Sequence, residues 1–566
     1  TEDRITAALG ERPADLLVRN ARVVNTLSGE IHAADVAVAG GRFLGFGHYE
    51  ARTVVDAAGS FLCPGLIDGH IHIESTLLSP REFARAVAGR GTCAVVADPH
   101  EIANVLGMAG IDYMLQAGRD LPVVIYFMMP SCVPATHLET SGARITVRDI
   151  ERALADHPEH ILGLAEMMNV PGVLHRDPAV LAKLRAAAGR PVDGHAPGLT
   201  GRPLNAYVAA GPGSDHESTT LEEGLEKLRL GMFLMLREGT SEQNLKALAP
   251  LARSCDTARI GLVTDDRHPT DLLSRGHMDH CVRRAMELGI PPVRAVQMAS
   301  LNTARHFKIA YRGAVAPGYH ADFLLLDDLE RFAIREVYLG GENLRDMHWP
   351  EATIPPPGTG VHLPRIRPSR FEVPAGRGSM RVIGLVPGQI LTRSLTLSPR
   401  LSQGLVQTDP EADLAKLAVI ERHRGTGNTG LGFVKGLGLR AGAVASTVAH
   451  DSHNLIVAGM NDADMALAAT QVCSMGGGLV AVLDGQVLES LPLPVAGLMS
   501  ELPLEEVVDQ LQRLETACRT LGTPIPGLFM VLAFLALPVI PALKLTDLGL
   551  VDVNAFNFVP LWTDST

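Results

Sequence analysis

An apolar run ending in two histidines constrains this chain more than any other stretch: Pro64-Gly-Leu-Ile-Asp-Gly-His-Ile-His72. In a β-strand, residues two apart point to the same face. His70 and His72 therefore project together from one strand end. Paired imidazoles suit a metal ion. The plainer reading is two surface histidines on an edge strand. Partners later in the chain decide between the two.

The segment 63–310 offers such partners. Short apolar runs recur at Thr92–Ala97, Pro122–Phe127, Ile161–Ala165, Pro191–Asp193, Gly231–Leu236 and Arg259–Val263. Helix-like patterns lie between them, as at Arg81–Gly89, Ala179–Ala188, Glu222–Leu230 and Ser241–Leu251. Strands alternating with helices imply a parallel sheet. Roughly 250 residues with about eight such units fit a (β/α)8 barrel, whose active site lies where the strands end. The second strand ends in Asp98-Pro-His100-Glu101, the fourth in Glu166 and the fifth in His195. The next polar run carries His216-Glu217, and the last strand ends in Asp265-Asp266. Four histidines and two carboxylates match two divalent ions in number and type. Imidazole and carboxylate suit Zn, Mn and Fe, and no thiolate stands nearby. A carboxylate shared between two ions offsets their repulsion and leaves room for a bridging hydroxide.

Residues 1–62 and 311–350 read as short strands joined by glycine turns, and the two flanks are expected to build one β-sandwich. A linker rich in proline and charge follows at 351–370, and a C-terminal α+β domain at 371–566. The fold class is therefore α/β: a (β/α)8 barrel with a β-sandwich from both flanks and an additional C-terminal α+β domain. Gly425-Thr-Gly-Asn-Thr-Gly430 matches G-x-G-x-x-G without a surrounding βαβ unit, so a turn-rich loop is expected. His450-Asp-Ser-His-Asn454 is no nucleophilic triad, which is assembled in space. It is either a loop over the barrel mouth that contacts substrate or a polar cluster inside the third domain. Met128, Met129, Met167, Met168, Met232 and Met235 are expected to fill core gaps, and Glu222 to Glu226 to form a solvated helix face. Pro526, Pro538 and Pro541 break the apolar stretch Ile525–Leu543, which reads as a buried strand or helix pair rather than a membrane span.

The net charge of -12 argues against a nucleic-acid partner. Seven cysteines without C-x-x-C suggest a reducing, cytoplasmic setting. The polar start Thr1-Glu-Asp-Arg4 is not expected to act as a signal peptide. A homo-oligomer, dimer or larger, with no membrane association, is expected.

Pro64 to His72 resembles the opening signature of the amidohydrolase superfamily, a likeness that covers about residues 14–345. His72-Ile-Glu-Ser-Thr76, Ala97-Asp-Pro-His-Glu-Ile-Ala-Asn104, Thr264-Asp-Asp-Arg-His-Pro269 and Ala449-His-Asp-Ser-His-Asn454 together resemble the bacterial adenine deaminase family over nearly the whole chain. That resemblance implies hydrolysis of adenine to hypoxanthine and ammonia in purine salvage, with Mn2+ or Fe2+ as the usual ions and Zn2+ as another candidate. It implies that His70, His72 and Asp265 hold one ion, that His195 and His216 hold the other, and that Glu166 bridges both. Asp265, directly after the apolar run, is preferred over Asp266 as the ligand. Asp265 would carry the proton from the nucleophile to the departing amine, with Glu166 helping to shuttle a ring proton. His100 would either polarise the ring or orient a ligand. Asp266, Glu217, His450 and Asp451 are candidates for gripping the base, and Phe127 and Met168 for lining its pocket. The one-metal deaminase pattern H-x-x-E is missing, because Ala-Pro-Gly follows His195, and H-x-E with P-C-x-x-C is absent. Rival readings are a cyclic amidase, an N-acetylglucosamine-6-phosphate deacetylase, or a metal-free barrel scaffold.

Overall fold

The computed structural model describes residues 2–351, 354–363 and 365–563; Ala352, Thr353 and Pro364 of the expected linker lie outside them. Eight central strands carry the site: β1 (Leu66–Ile71), β2 (Thr92–Ala97), β3 (Val124–Met129), β4 (Ile161–Met167), β5 (Val192–Gly194), β6 (Ser214–Asp215), β7 (Phe233–Arg237) and β8 (Ile260–Val263). β1 to β5 pair in parallel as one sheet and β6 to β8 as another, each in chain order. The Gly213 N–H donates to Val192 O at 2.8 Å across the β5–β6 seam. A parallel bridge joins Ile71 to Asp265 at the seam between β8 and β1. This curled parallel arrangement fits a TIM-like barrel. β1, β2, β7 and β8 are buried along their whole length, and β3 and β4 at most positions, as a parallel sheet covered on both faces requires.

Helices separate the strands, and local chemistry sets their ends. Val147–Asp156 starts in a capping box: the Thr146 side chain accepts from the Asp149 N–H, and Asp149 accepts from the Thr146 N–H at 2.8 Å. Two glycines permit close packing between neighbouring strands. A Cβ on Gly163 would lie 1.9 Å from Pro191 O, and one on Gly194 2.3 Å from Ser214 O. The methionines fill the interior as expected, Met168 being half-buried.

The flanks meet in one continuous eight-stranded sheet that folds back on itself, with Phe43 and Phe323 5.9 Å apart between ring centroids in a core drawn from both flanks. Ala14–Asn25 explains the continuity. Its first half pairs with Ala51–Asp56 and its second with Phe61–Pro64, and its register shifts between Val18 and Ala21. Phe61–Pro64 also pairs with Phe323–Asp328, which ties the returning chain to the first flank.

The C-terminal body holds a nine-stranded, mostly antiparallel sheet with helices Asp462–Ser474, Leu504–Thr520 and Leu528–Leu535. Gly425 to Gly430 is a loop running into strand Thr429–Lys435. Among the described residues no helix is long and apolar enough to cross a membrane. This body rests on the loops beyond the β1 and β3 ends. Ser500 N donates to Leu77 O at 2.7 Å, Thr546 Oγ1 to Leu138 O at 2.7 Å, and Thr140 N to Asp547 Oδ1 at 2.9 Å.

Candidate metal centre

The strand ends bring the expected side chains together. His70 and His72 leave β1 on one face, with ring centroids 5.0 Å apart. Glu166, near the end of β4, lies between two histidine pairs. Its Oε1 is 3.4 Å from His72 Nε2 and 3.9 Å from His70 Nε2. Its Oε2 accepts from His195 Nδ1 at 2.6 Å and lies 3.4 Å from His216 Nε2. Asp265 follows β8, with Oδ1 3.5 Å from His72 Nε2 and 3.8 Å from His70 Nε2. Its φ of +58° falls in the left-handed region, which aspartate tolerates better than most residues. Its N–H donates to His70 O at 2.9 Å, fixing the two strand ends relative to each other.

Apart from the 2.6 Å contact of His195 with Glu166, these spacings fit ions rather than hydrogen bonds. Two N or O donors about 2.1 Å from a common tetrahedral ion stand about 3.4 Å apart. His70 Nε2 is buried without a hydrogen-bond partner. Burial, together with His216, pushes the His70 pKa down to about 3, so its lone pair is free. His72 Nδ1 lies 3.0 Å from Asp98 O, a group that only accepts, so Nε2 is the nitrogen presenting a lone pair inward. Burial disfavours a charged His216, but Glu166, Asp265 and Glu217 outweigh it and raise its pKa to about 9. Burial alone would raise Asp265. Arg237 and the surrounding histidines instead hold it well below the usual carboxylate range. A cluster this rich in imidazole and carboxylate can hold divalent ions.

Supporting groups set this geometry. The Tyr207 hydroxyl donates to Met167 O at 2.7 Å and accepts from the His195 N–H at 3.1 Å, joining the ends of β4 and β5. The fully buried Lys227 donates to Ala196 O at 2.7 Å and Glu223 Oε1 at 2.8 Å, and pairs with Asp215 Oδ2 at 2.9 Å. It thereby braces the turns that carry His195 and His216. Glu223 is thus buried, which corrects the expectation of a wholly solvated helix face. Arg237, at the end of β7, donates to Asp265 Oδ2 at 2.6 Å and grips both oxygens of Glu217. Sequence reasoning missed Arg237 and Lys227. The available signal for Arg237 was a cation closing the apolar run of the one late strand to which no polar group had been assigned.

The remaining candidates surround the centre. His100 Nδ1 is 3.0 Å from Asp98 Oδ2 and 3.6 Å from Glu166 Oε1. Asp266 accepts from Ser75 Oγ. His450 Nδ1 donates to Glu101 Oε1 at 2.8 Å, and His453 Nε2 donates to Glu101 Oε2. The 450–454 loop therefore reaches out of the C-terminal body onto the β2 end instead of closing on itself. Asp451 is buried beside it.

Imidazoles and carboxylates gathered at the ends of a curled parallel sheet define the class, a metal-dependent amidohydrolase. The amidohydrolase family matches residues 61–344, and the adenine deaminase C-terminal domain matches residues 389–557. The chain is 57% identical to the adenine deaminase of Oleidesulfovibrio alaskensis, over 99% of this chain and 98% of that protein. It is 51% identical to the adenine deaminase of Desulfatibacillum aliphaticivorans, over 99% of each. It is 49% identical to adenine deaminase 2 of Carboxydothermus hydrogenoformans, again over 99% of each. The chain belongs to the adenine deaminase family.

Proposed function

We propose that this chain hydrolyses adenine to hypoxanthine and ammonia in a (β/α)8 barrel spanning residues 63–310. The reading is supported chiefly by Glu166, whose two oxygens are addressed by separate histidine pairs. Full-length likeness to adenine deaminases supports the substrate. His70, His72 and Asp265 would hold one ion, His195 and His216 the other, with Glu166 shared, and Mn2+ or Fe2+ is the proposed metal. Two divalent ions bound there supply the Lewis acidity that makes water a nucleophile near neutral pH.

The side chains manage the protons. Asp265 has Oδ2 held by Arg237 and Oδ1 turned toward the centre. As oxygen bonds to C6, Asp265 takes one proton of the attacking water and gives it to the amine, which leaves as ammonia. The other proton passes through Glu166 to the ring nitrogen beside C6. His100, held by Asp98, hydrogen-bonds the ring. Seven free cysteines support a reducing, cytoplasmic setting, in keeping with purine salvage.

The test is ammonia release from a panel of purines and one cyclic amide, with Mn2+ and Fe2+ supplied in turn. Adenine is expected to react and the cyclic amide to remain intact; no ammonia from adenine with either metal refutes the reading. Asp265→Asn should lose turnover, and near-normal turnover with both ions still bound would remove Asp265 from proton transfer.

A further inference from the structure

Glu101, His450 and His453 form a second buried cluster of ionisable side chains, and the chemistry above gives it no task. They are 2%, 6% and 1% exposed. Their ligating atoms lie close enough together to hold an ion. The hydrogen bonds argue against one. The Ala449 N–H donates to His453 Nδ1 at 3.1 Å, which occupies the one ring lone pair a neutral imidazole has. Nε2 therefore carries the hydrogen and donates it to Glu101 Oε2. His450 Nδ1 donates to Glu101 Oε1 at 2.8 Å. The same Oε1 lies 3.4 Å from His100 Nε2. His100 in turn stands at the metal centre: its ring centroid is 4.5 Å from that of His72, and its Nδ1 is 3.6 Å from Glu166 Oε1. A single carboxylate thus separates two C-terminal imidazoles from a ring at the centre.

We propose that Glu101 is a positioning residue for His100, and that His450 and His453 fix its orientation, so that the C-terminal body completes the catalytic site. The assignment rests on the adenine reading above, in which His100 hydrogen-bonds the ring. Asp98 Oδ2 secures one side of the His100 ring at 3.0 Å from Nδ1, and Glu101 faces the other. A glutamate side chain turns freely unless both its oxygens are held, and the two imidazoles hold one each. The C-terminal body keeps those imidazoles in place. The fully buried Arg422 donates to His453 O, and His423 Nε2 donates to Ser452 O at 2.7 Å. Asn454 Nδ2 reaches across to Thr140 O at 2.9 Å, and the Phe534 ring stacks on His450 at 5.1 Å. His453 itself has φ of +55°, a left-handed conformation that persists where the surroundings fix it.

Steady-state kinetics with adenine, and elemental analysis, on metal-loaded full-length protein test this. H453L removes one donor to Glu101, so kcat should fall about 10–100-fold while KM stays within about threefold and both ions are retained. H453Q sets an amide N–H where Nε2–H stands and should return kcat to within about threefold of the parent. H450L and H450N, whose amide replaces Nδ1–H, form a second such pair should H453L not fold. In an H100N background the effect of H453L should shrink to less than about threefold, because the orientation it sets is already lost. An unchanged kcat in H453L, or in H450L where H453L does not fold, overturns the assignment. So does a loss that the amide variants leave unrepaired, or one undiminished in the H100N background. A third ion in the parent that H453L releases would make the cluster a metal site instead. No ammonia from adenine with the parent sinks the deaminase reading and this assignment with it.

Discussion

Lys227→Met tests whether a group remote from the proposed chemistry holds half of the centre together. Lys227 is fully buried and satisfies three acceptors: Asp215, Glu223 and Ala196 O. Burial alone would raise Asp215, yet Lys227, with His216, keeps it below its ordinary range. Methionine matches the lysine stem but leaves that carboxylate buried without its cation. Breaking a buried pair on one side costs about 3–5 kcal/mol. For a unit of about 250 residues this lowers Tm by roughly 6–20 °C, at 2–4 °C per kcal/mol. The Ala196 and Asp215 turns carry His195 and His216, so ion affinity should also fall about 10–100-fold, as for other groups that orient ligands. Calorimetry at fixed ion concentration and elemental analysis of the purified variant measure the two effects. A Tm within 2 °C of the parent, with ion content unchanged, would refute the bracing role.

Three further outcomes follow from the same geometry. R237K keeps the charge but loses the fork that spans Asp265 and Glu217, so kcat should fall about 10–100-fold while the fold persists; an unchanged kcat would contradict a positioning role. R237M leaves both carboxylates unpaired and should in addition lower Tm, at a cost of about 3–5 kcal/mol. Lys544 concerns pH. Burial lowers it to about 7, against about 10.4 in an unfolded chain. The unfolded state then holds more protons between those values, so the stability penalty is full below pH 7 and fades as pH rises toward 10.4. The gap is worth about 4–5 kcal/mol, while methionine would leave Ile390 O and Phe534 O without their donor, so the stability of K544M relative to the parent should fall by about 2–3 kcal/mol between pH 6 and pH 9; a pH-independent difference would contradict this.

Much of the centre was legible because strand ends in a parallel sheet have few places to go. His70 and His72 are two apart on one strand, so they share a face whatever the tertiary detail. Glu166, His195 and Asp265 each close or directly follow a short apolar run, His216 follows a short polar strand, and consecutive parallel pairing delivers them to the same end of the sheet. What escaped was longer in range. Glu223 has a helix-surface spacing, and only the fold shows that it turns inward to Lys227. Glu101 and His450 are 349 positions apart, and no local pattern announces their contact. The flanking sheet was legible as strands but not as one continuous sheet, because the register shift within Ala14–Asn25 depends on which neighbour each half finds.

The central claim is that Glu166 joins two histidine pairs around two ions, and elemental analysis tests it most directly. Apo-protein reconstituted with Mn2+ should bind two ions per chain, and Glu166→Ala, reconstituted in parallel, should lose at least one of them together with turnover. Two ions retained in Glu166→Ala, or full turnover by a parent holding a single ion, would contradict the account.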